Sequence, residues 1–167
     1  MFLLRSIVLV FVFIAAPAWS ESIRISAKPG KFDARTLSIP AAAMSFSGTA
    51  KLLAFAGSPQ WPAASYIGIH EGPDRSNSVQ VLAIRNRPTD DHLVVGYRVV
   101  TDGRELEVKS ITSIPLNAVW NVRIRFDNGV VHLQVNDERT VEVRTSFKRV
   151  APYVSVSSGE AEFTIDL

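Results

Sequence analysis

Seventeen residues, Trp120 to Asn136, constrain this chain more than any other part of it. They read WNVRIRFDNGVVHLQVN, with Asn128-Gly129 at the centre. Asn-Gly favours a type I′ turn, because both central residues of that turn need positive φ. A two-residue loop there sets the register. Phe126 faces Val131, Ile124 faces Leu133, and Val122 faces Val135, apolar on both sides. The other face pairs Arg125 with His132, Arg123 with Gln134, and Asn121 with Asn136, all polar. A slip of one residue would scramble both faces. An antiparallel sheet with one buried and one wet face follows.

Similar segments fill the rest of the chain. Short runs rich in Val, Ile, Phe and Thr alternate with turn residues, the pattern of an all-β sandwich or barrel. A second hairpin is expected at Asp102-Gly103, with Val99 facing Leu106, Tyr97 facing Val108, Val95 facing Ser110, and Arg98 facing Glu107. A connection at Asp137-Glu138-Arg139 would place Val135 opposite Val141 and Leu133 opposite Val143. The Pro- and Ala-bearing segment Pro29–Ala42 reads as a loop, with a helical turn at Pro40–Met44. The closing strand alternates apolar Ala161, Phe163 and Ile165 with polar Glu162 and Thr164.

The N-terminus has the layout of a secretory signal peptide. Arg5 supplies the charge, Ile7 to Ala16 the apolar run, and Ala18 and Ser20 the small residues before a cut at Glu21. The run is short for a membrane span, which needs about 20 residues. Residues 1–20 are thus expected to be removed and 21–167 to form one domain, exported to the periplasm or outside the cell. The chain has no cysteine, so no disulfide and no thiolate metal site enter the argument.

Charge is nearly balanced. The 18 Lys and Arg face 16 Asp and Glu, and loss of the leader removes only Arg5. A nucleic-acid partner would need clustered excess basic charge, so none is expected. No nucleophile elbow and no phosphate loop appears, and no cofactor is expected.

The chain from Ser65 onward resembles the concanavalin A-like lectin/glucanase superfamily, including laminin G-like modules. The residues that carry the resemblance are Val119–Phe126, Asp127–Asn136, Ala151–Gly159 and Glu160–Leu167, with Ser65–His70 and Ser78–Ile84 as the middle strands. Asp137 stands where such domains more often have Gly. The resemblance implies a two-sheet antiparallel jelly-roll sandwich. It also implies that one sheet is concave and holds a sugar or, in the glucanases, the catalytic carboxylates.

Those glucanases place acids at i, i+2 and i+4 of one strand. Here the positions hold Glu105, Glu107 and Lys109. Lysine replaces the third acid, and an exposed ion pair with Arg98 accounts for Glu107. The clusters His70-Glu71-Gly-Pro-Asp74-Arg75 and Asp90-Asp91-His92 match no metal-ligand spacing and read as solvated loops. The polar hairpin face is the better binding candidate. Arg123, Arg125, His132, Gln134 and Asn136 offer planar donors and acceptors suited to hydroxyls or carboxylates. Trp61 and Tyr66 are candidate aromatic platforms, whereas register puts Trp120 on the apolar side. A merely solvated sheet face is the plain alternative.

The leading expectation is an exported non-catalytic binding module whose partner is a glycan. A small glycan hydrolase or lyase on the same fold is the second. A structural or protein-interaction domain of the cell envelope is the third.

Overall fold

The computed structural model describes residues 20–137 and 139–167. The signal-peptide segment lies outside the described residues, except for Ser20. Ten strands follow in order: β1 Ser20–Thr36, β2 Ala43–Phe55, β3 Ala63–Glu71, β4 Asn77–Arg85, β5 His92–Thr101, β6 Arg104–Pro115, β7 Trp120–Asp127, β8 Val130–Val135, β9 Arg139–Arg144 and β10 Ala151–Asp166. All pairings are antiparallel.

The sheet folds into a jelly-roll sandwich because β1 and β10 each serve two layers. Residues 153–157 of β10 pair with 32–36 of β1, and residues 159–166 pair with 20–27. The first half of β10 also pairs with β3. The second half pairs with β2. The front layer therefore runs β6-β5-β4-β3-β10-β1, and the back layer β1-β10-β2-β7-β8-β9. Between them lies one apolar core. Ile67, Ile69, Val79, Val81, Leu93 and Val95 come from the front, and Phe46, Leu52, Ile124, Leu133 and Phe163 from the back. Trp120 is fully buried in it, with its indole N–H donating to Ser65 Oγ at 3.3 Å.

The β7–β8 hairpin has the expected register throughout, from Phe126 opposite Val131 to Val122 opposite Val135. Asn128 and Gly129 have φ of 49° and 77°, as a type I′ turn requires. The side chains of Val122, Ile124, Phe126, Val131, Leu133 and Val135 are all buried.

Four local expectations need correction. Pro29–Ala42 is a connection only from residue 37 onward: β1 continues to Thr36, with an irregularity between Ala27 and Phe32. Gly30 takes φ 69° there, and its N–H donates to Ser158 Oγ at 2.9 Å. The bulge, where Pro29 is tolerated, carries the strand from the back layer to the front. Pro40–Met44 forms no helical turn. Ala41 bridges Val150, and Ala43 already opens β2.

The β8–β9 connection starts one residue earlier than expected, with Val135 opposite Arg139 and Leu133 opposite Val141. A shift of two keeps the same side chains inward. In the second hairpin, Thr101 pairs with Arg104 around Asp102-Gly103, but Leu106 is an extra residue. Val100 pairs with Glu105 and Val99 with Glu107. The bulge exposes Leu106 and sets Glu105 and Glu107 on opposite faces. Tyr97, expected opposite Val108, pairs with Lys109, and its hydroxyl donates to Glu107 at 2.8 Å. Val95, expected opposite Ser110, pairs with Thr112 past a second irregularity.

Gly129→Ala should destabilise the fold by about 1–2 kcal/mol, because a β-carbon penalises the left-handed region and would meet Thr145 O at 2.8 Å. Urea unfolding measures it. Asn128→Gly should be close to neutral by the same assay, since Gly accepts that φ freely.

Candidate functional site

The outer face of the front layer carries the chemistry. β3 and β4 are buried on both sides for most of their length, so side chains cover this face as well as the core. Register arranges them in rows across the strands. One row runs Tyr153, Gly68, Gln80, Arg98, Val108. Beside it lies Ala151, His70, Ser78, Val100, Glu105. On the other side are Ser155, Tyr66, Leu82, Gly96, Ser110, and then Ser157, Ala64, Ile84, Val94.

The first row is a polar chain. Gln80 Nε2 donates to the Tyr153 hydroxyl at 2.8 Å, and Gln80 Oε1 accepts from Arg98 Nε and Nη2 at 2.9 Å each. Only this orientation of the amide suits both neighbours, since arginine has no acceptor. Tyr153 is fully buried, and burial pushes its hydroxyl up to about 12 despite the Ser78 hydroxyl and the positive charges of Arg98 and Arg75. Gly68 is what lets the row close. A β-carbon there would stand 2.8 Å from Gln80 Cβ and 2.5 Å from Val79 O.

Arg98 also lies over the Tyr66 ring, 5.4 Å from its centre. Its Nη1 stands 3.6 Å from Glu105 Oε2, a loose and partly exposed pair that adds little stability. Arg75, in the β3–β4 turn, lies over the Tyr153 ring at 5.9 Å. It takes φ 59°, and its Nε is buried without a hydrogen-bond partner among the described residues.

Two adjoining cavities of about 490 Å³ each open over these rows. Phe32, Arg98 and Glu105 border both, so they form one groove. One end is polar, lined by Asp74, Arg75, Ser76, Ser78, Gln80 and Tyr153. The other is lined by Trp61, Pro62, Tyr66, Leu82, Ile84, Val94 and Val108, with Gln60 and Asn86. Phe32 meets Tyr66 edge-on, with ring centres 5.8 Å apart. Trp61 is pinned by its indole N–H, which donates to Lys31 O at 3.3 Å. Phe32 and Trp61 each remain 44% exposed and border the same groove.

Of the residues singled out from sequence, Trp61 and Tyr66 meet in this groove. The binding candidates of the β7–β8 face sit elsewhere. Arg123 and Arg125 are exposed on the outer face of the back layer, with His132 and Gln134 half-buried beside them. Arg123 Nη1 lies 3.5 Å from Gln134 Oε1. Asn136 is occupied, its Oδ1 accepting from the Asn121 backbone N–H at 2.9 Å. Arg123 borders a smaller hollow of about 200 Å³ with Ser47, Thr49, Asp137 and Thr164.

Phe32, Gln80 and Tyr153 were not foreseen, and sequence alone reads Arg98 only as an ion-pair partner of Glu107 and Arg75 only as part of a solvated loop. Gln80 and Arg98 did leave a trace, each a lone polar residue in an apolar run, Val-Gln-Val-Leu and Gly-Tyr-Arg-Val.

Glu105 and Glu107 do not act together. Glu105 faces the groove, whereas Glu107 takes Lys109 Nζ at 2.5 Å and the Tyr97 hydroxyl on the opposite side. These contacts, Lys109 first, hold the Glu107 carboxyl below its usual range. His70 has both ring nitrogens engaged, Nδ1 with Gly72 O at 2.7 Å and Nε2 with Thr36 Oγ1 at 3.1 Å. Among the described residues no group of three or more His, Asp or Glu could hold a metal ion.

No protein-family model and no curated protein matches the chain. Solved structures of similar fold do. A carbohydrate binding module, CBM66, from Bacillus subtilis superposes with a TM-score of 0.59 at 9% identity, covering 89% of this chain and 95% of that one. An alginate lyase from Alteromonas sp. 272 gives 0.52 at 10% identity, over 74% and 68%. A homodimeric agglutinin from chicken liver gives 0.50 at 14% identity, over 80% and 99%. Structures of this group share the concanavalin A-like jelly roll, and at these identities the likeness is one of fold.

Burial lowers the His70 pKa below 6.5, aided by Arg75 and opposed by the Gly72 carbonyl and Asp74. A histidine held neutral in the fold contributes stability that is complete above about pH 6.5 and is lost as pH falls toward the folded-state value. His70→Gln should therefore flatten the fall in melting temperature between about pH 7 and pH 5. An unchanged slope would show that His70 burial is not its source.

Proposed function

We propose that this chain is a non-catalytic glycan-binding module whose site is the groove over the front layer. The carrying observation is the meeting of Phe32, Trp61 and Tyr66 with Arg98 and Gln80 along one open cleft. Aromatic rings take the C–H face of a pyranose, while guanidinium and amide groups take its hydroxyls or a carboxylate. The cleft has the volume of ordinary small-ligand sites. A carbohydrate binding module, an alginate lyase and an agglutinin on the same fold lend the reading support. Export, suggested by the leader-like N-terminus, suits such a ligand, and a component of the cell envelope would be a fitting source.

Binding is favoured over turnover because the proton-carrying groups near the groove are engaged. Tyr153 is buried and held to about 12. His70 has both nitrogens bonded. Glu105 faces Arg98. Glycosidic cleavage by paired acids needs two carboxyl groups about 5–10 Å apart across the bond, one of them kept protonated. The strand that carries Glu105 turns Glu107 away, and Asp74, which borders the same end, accepts the Ser76 N–H at 3.1 Å and is held below its usual range by that bond.

Glycan-array screening followed by calorimetry tests the site. Trp61→Ala and Arg98→Ala should each weaken the ligand by about tenfold, the scale of one 1.4 kcal/mol contact. Arg123→Ala with Arg125→Ala should leave affinity unchanged. The reverse result would move the site to the β7–β8 face. New reducing ends or unsaturated products on incubation with the bound glycan, abolished in Tyr153→Phe, would replace the binding module with an enzyme.

A further inference from the structure

The two ends of the groove differ in chemistry, and the difference names a feature of the ligand. At one end, register brings Tyr66, Leu82, Ile84 and Val94 together on the outer face of the sheet. Ala64, Tyr66 and Leu82 make a small buried apolar cluster separate from the sandwich core, with Ile84 packed on it. Beyond Tyr66 this floor is aliphatic, formed by Leu82, Ile84 and Val94.

A bare pyranose is a poor fit to such a floor. Its hydroxyls would lose water over Leu82, Ile84 and Val94, which offer no partner. Of the two serines that border the same cavity, Ser157 already donates to Pro62 O at 2.8 Å, which leaves Ser110 at the rim. An acyl group fits better. Its methyl would bury against the aliphatic side chains. Its carbonyl needs a donor, and the amides of Gln60 and Asn86 border the same cavity. At the far end, Arg98, Gln80 and the unpartnered Arg75 Nε remain for hydroxyls or a carboxylate.

We infer that the ligand is an acetylated glycan, with the acetyl group seated over Leu82, Ile84 and Val94. The inference rests on the glycan-binding reading of the groove. Ester and amide acetyl groups share the chemistry required, and paired probes separate them.

The experiment is titration calorimetry on the full chain with matched oligosaccharides. O-acetylated xylan and alginate fragments are each compared with the same fragments after mild saponification. N-acetylated chitohexaose is compared with its de-N-acetylated form. At least one acetylated member should bind about tenfold tighter than its partner. The O-linked or N-linked pair that shows the difference identifies the linkage. Val94→Thr keeps the side-chain shape but puts a hydroxyl in the floor, and should shrink that ratio at least threefold without moving the melting temperature. If Val94→Thr unfolds, the more exposed Val108→Thr serves instead.

Equal binding of both members of every pair that binds overturns the acetyl inference and leaves the groove reading in place. So does binding at the groove of a glycan that carries no acyl group while neither member of any pair binds. Failure of all these probes and of every array glycan overturns the glycan reading itself. Binding of dodecanoate with no glycan binding would do the same, turning the apolar end into a lipid site.

Discussion

Everything in this fold hangs on the ladder between β1 and β10. Those two strands run antiparallel through both layers, and no other pair does. The change of layer occurs at one place. Gly30 on β1 and Ser158 on β10 both take positive φ, and the Gly30 N–H is bonded to Ser158 Oγ. The Ser158 carbonyl meanwhile accepts from Ala56 N–H at 2.9 Å as β2 ends. A sandwich needs its two sheets at a fixed angle and distance. Here a continuous hydrogen-bonded ribbon sets both, so the absence of disulfides costs the fold little.

The ribbon also explains where the groove is. Past the bulge, β1 lies beside β10 at the margin of the front layer, which puts Phe32 next to Tyr66 and Lys31 O within reach of the Trp61 indole. One wall of the groove is therefore built by the strand that ties the layers together. The floor comes from β3, β4 and β5, whose small Gly68 lets the Tyr153–Gln80–Arg98 chain lie across them. Buried polar networks are costly unless every member is satisfied. This one runs without a break to Arg98, which borders the cleft with its Nη1 3.6 Å from Glu105 Oε2.

Legibility from sequence followed the range of the interactions. The β7–β8 hairpin was readable because a two-residue turn and a period of two decide it locally. The jelly roll was readable from the same alternation together with its family resemblance. The bulge at Leu106 was not, since counting outward from Asp102-Gly103 assumes unbroken pairing. The second half of β1 was missed because Lys28-Pro29-Gly30-Lys31 has the composition of a turn; its pairing with Ser157 is more than a hundred residues distant. The groove depends on four or more strands lying side by side. Trp61 and Tyr66 were visible as aromatics with no assigned place in the core, whereas Arg98 and Gln80 acquire meaning only when their strands are adjacent. The polar face of the β7–β8 hairpin is real, but it belongs to the layer on the far side of the core from the groove.

The bulge at Leu106 has a consequence for how the molecule meets its own copies. β6 is the outermost strand of the front layer, and an outermost strand offers unpaired N–H and C=O groups to any extended chain. A regular β6 would be a straight template. Instead it carries irregularities at Leu106 and near Ile111, and Arg104, Glu105, Glu107 and Lys109 crowd its first half. A second strand laid along it would lose register within a few residues and press charge against charge. The groove can thus stand open beside this margin without the margin itself recruiting other sheets into fibrils.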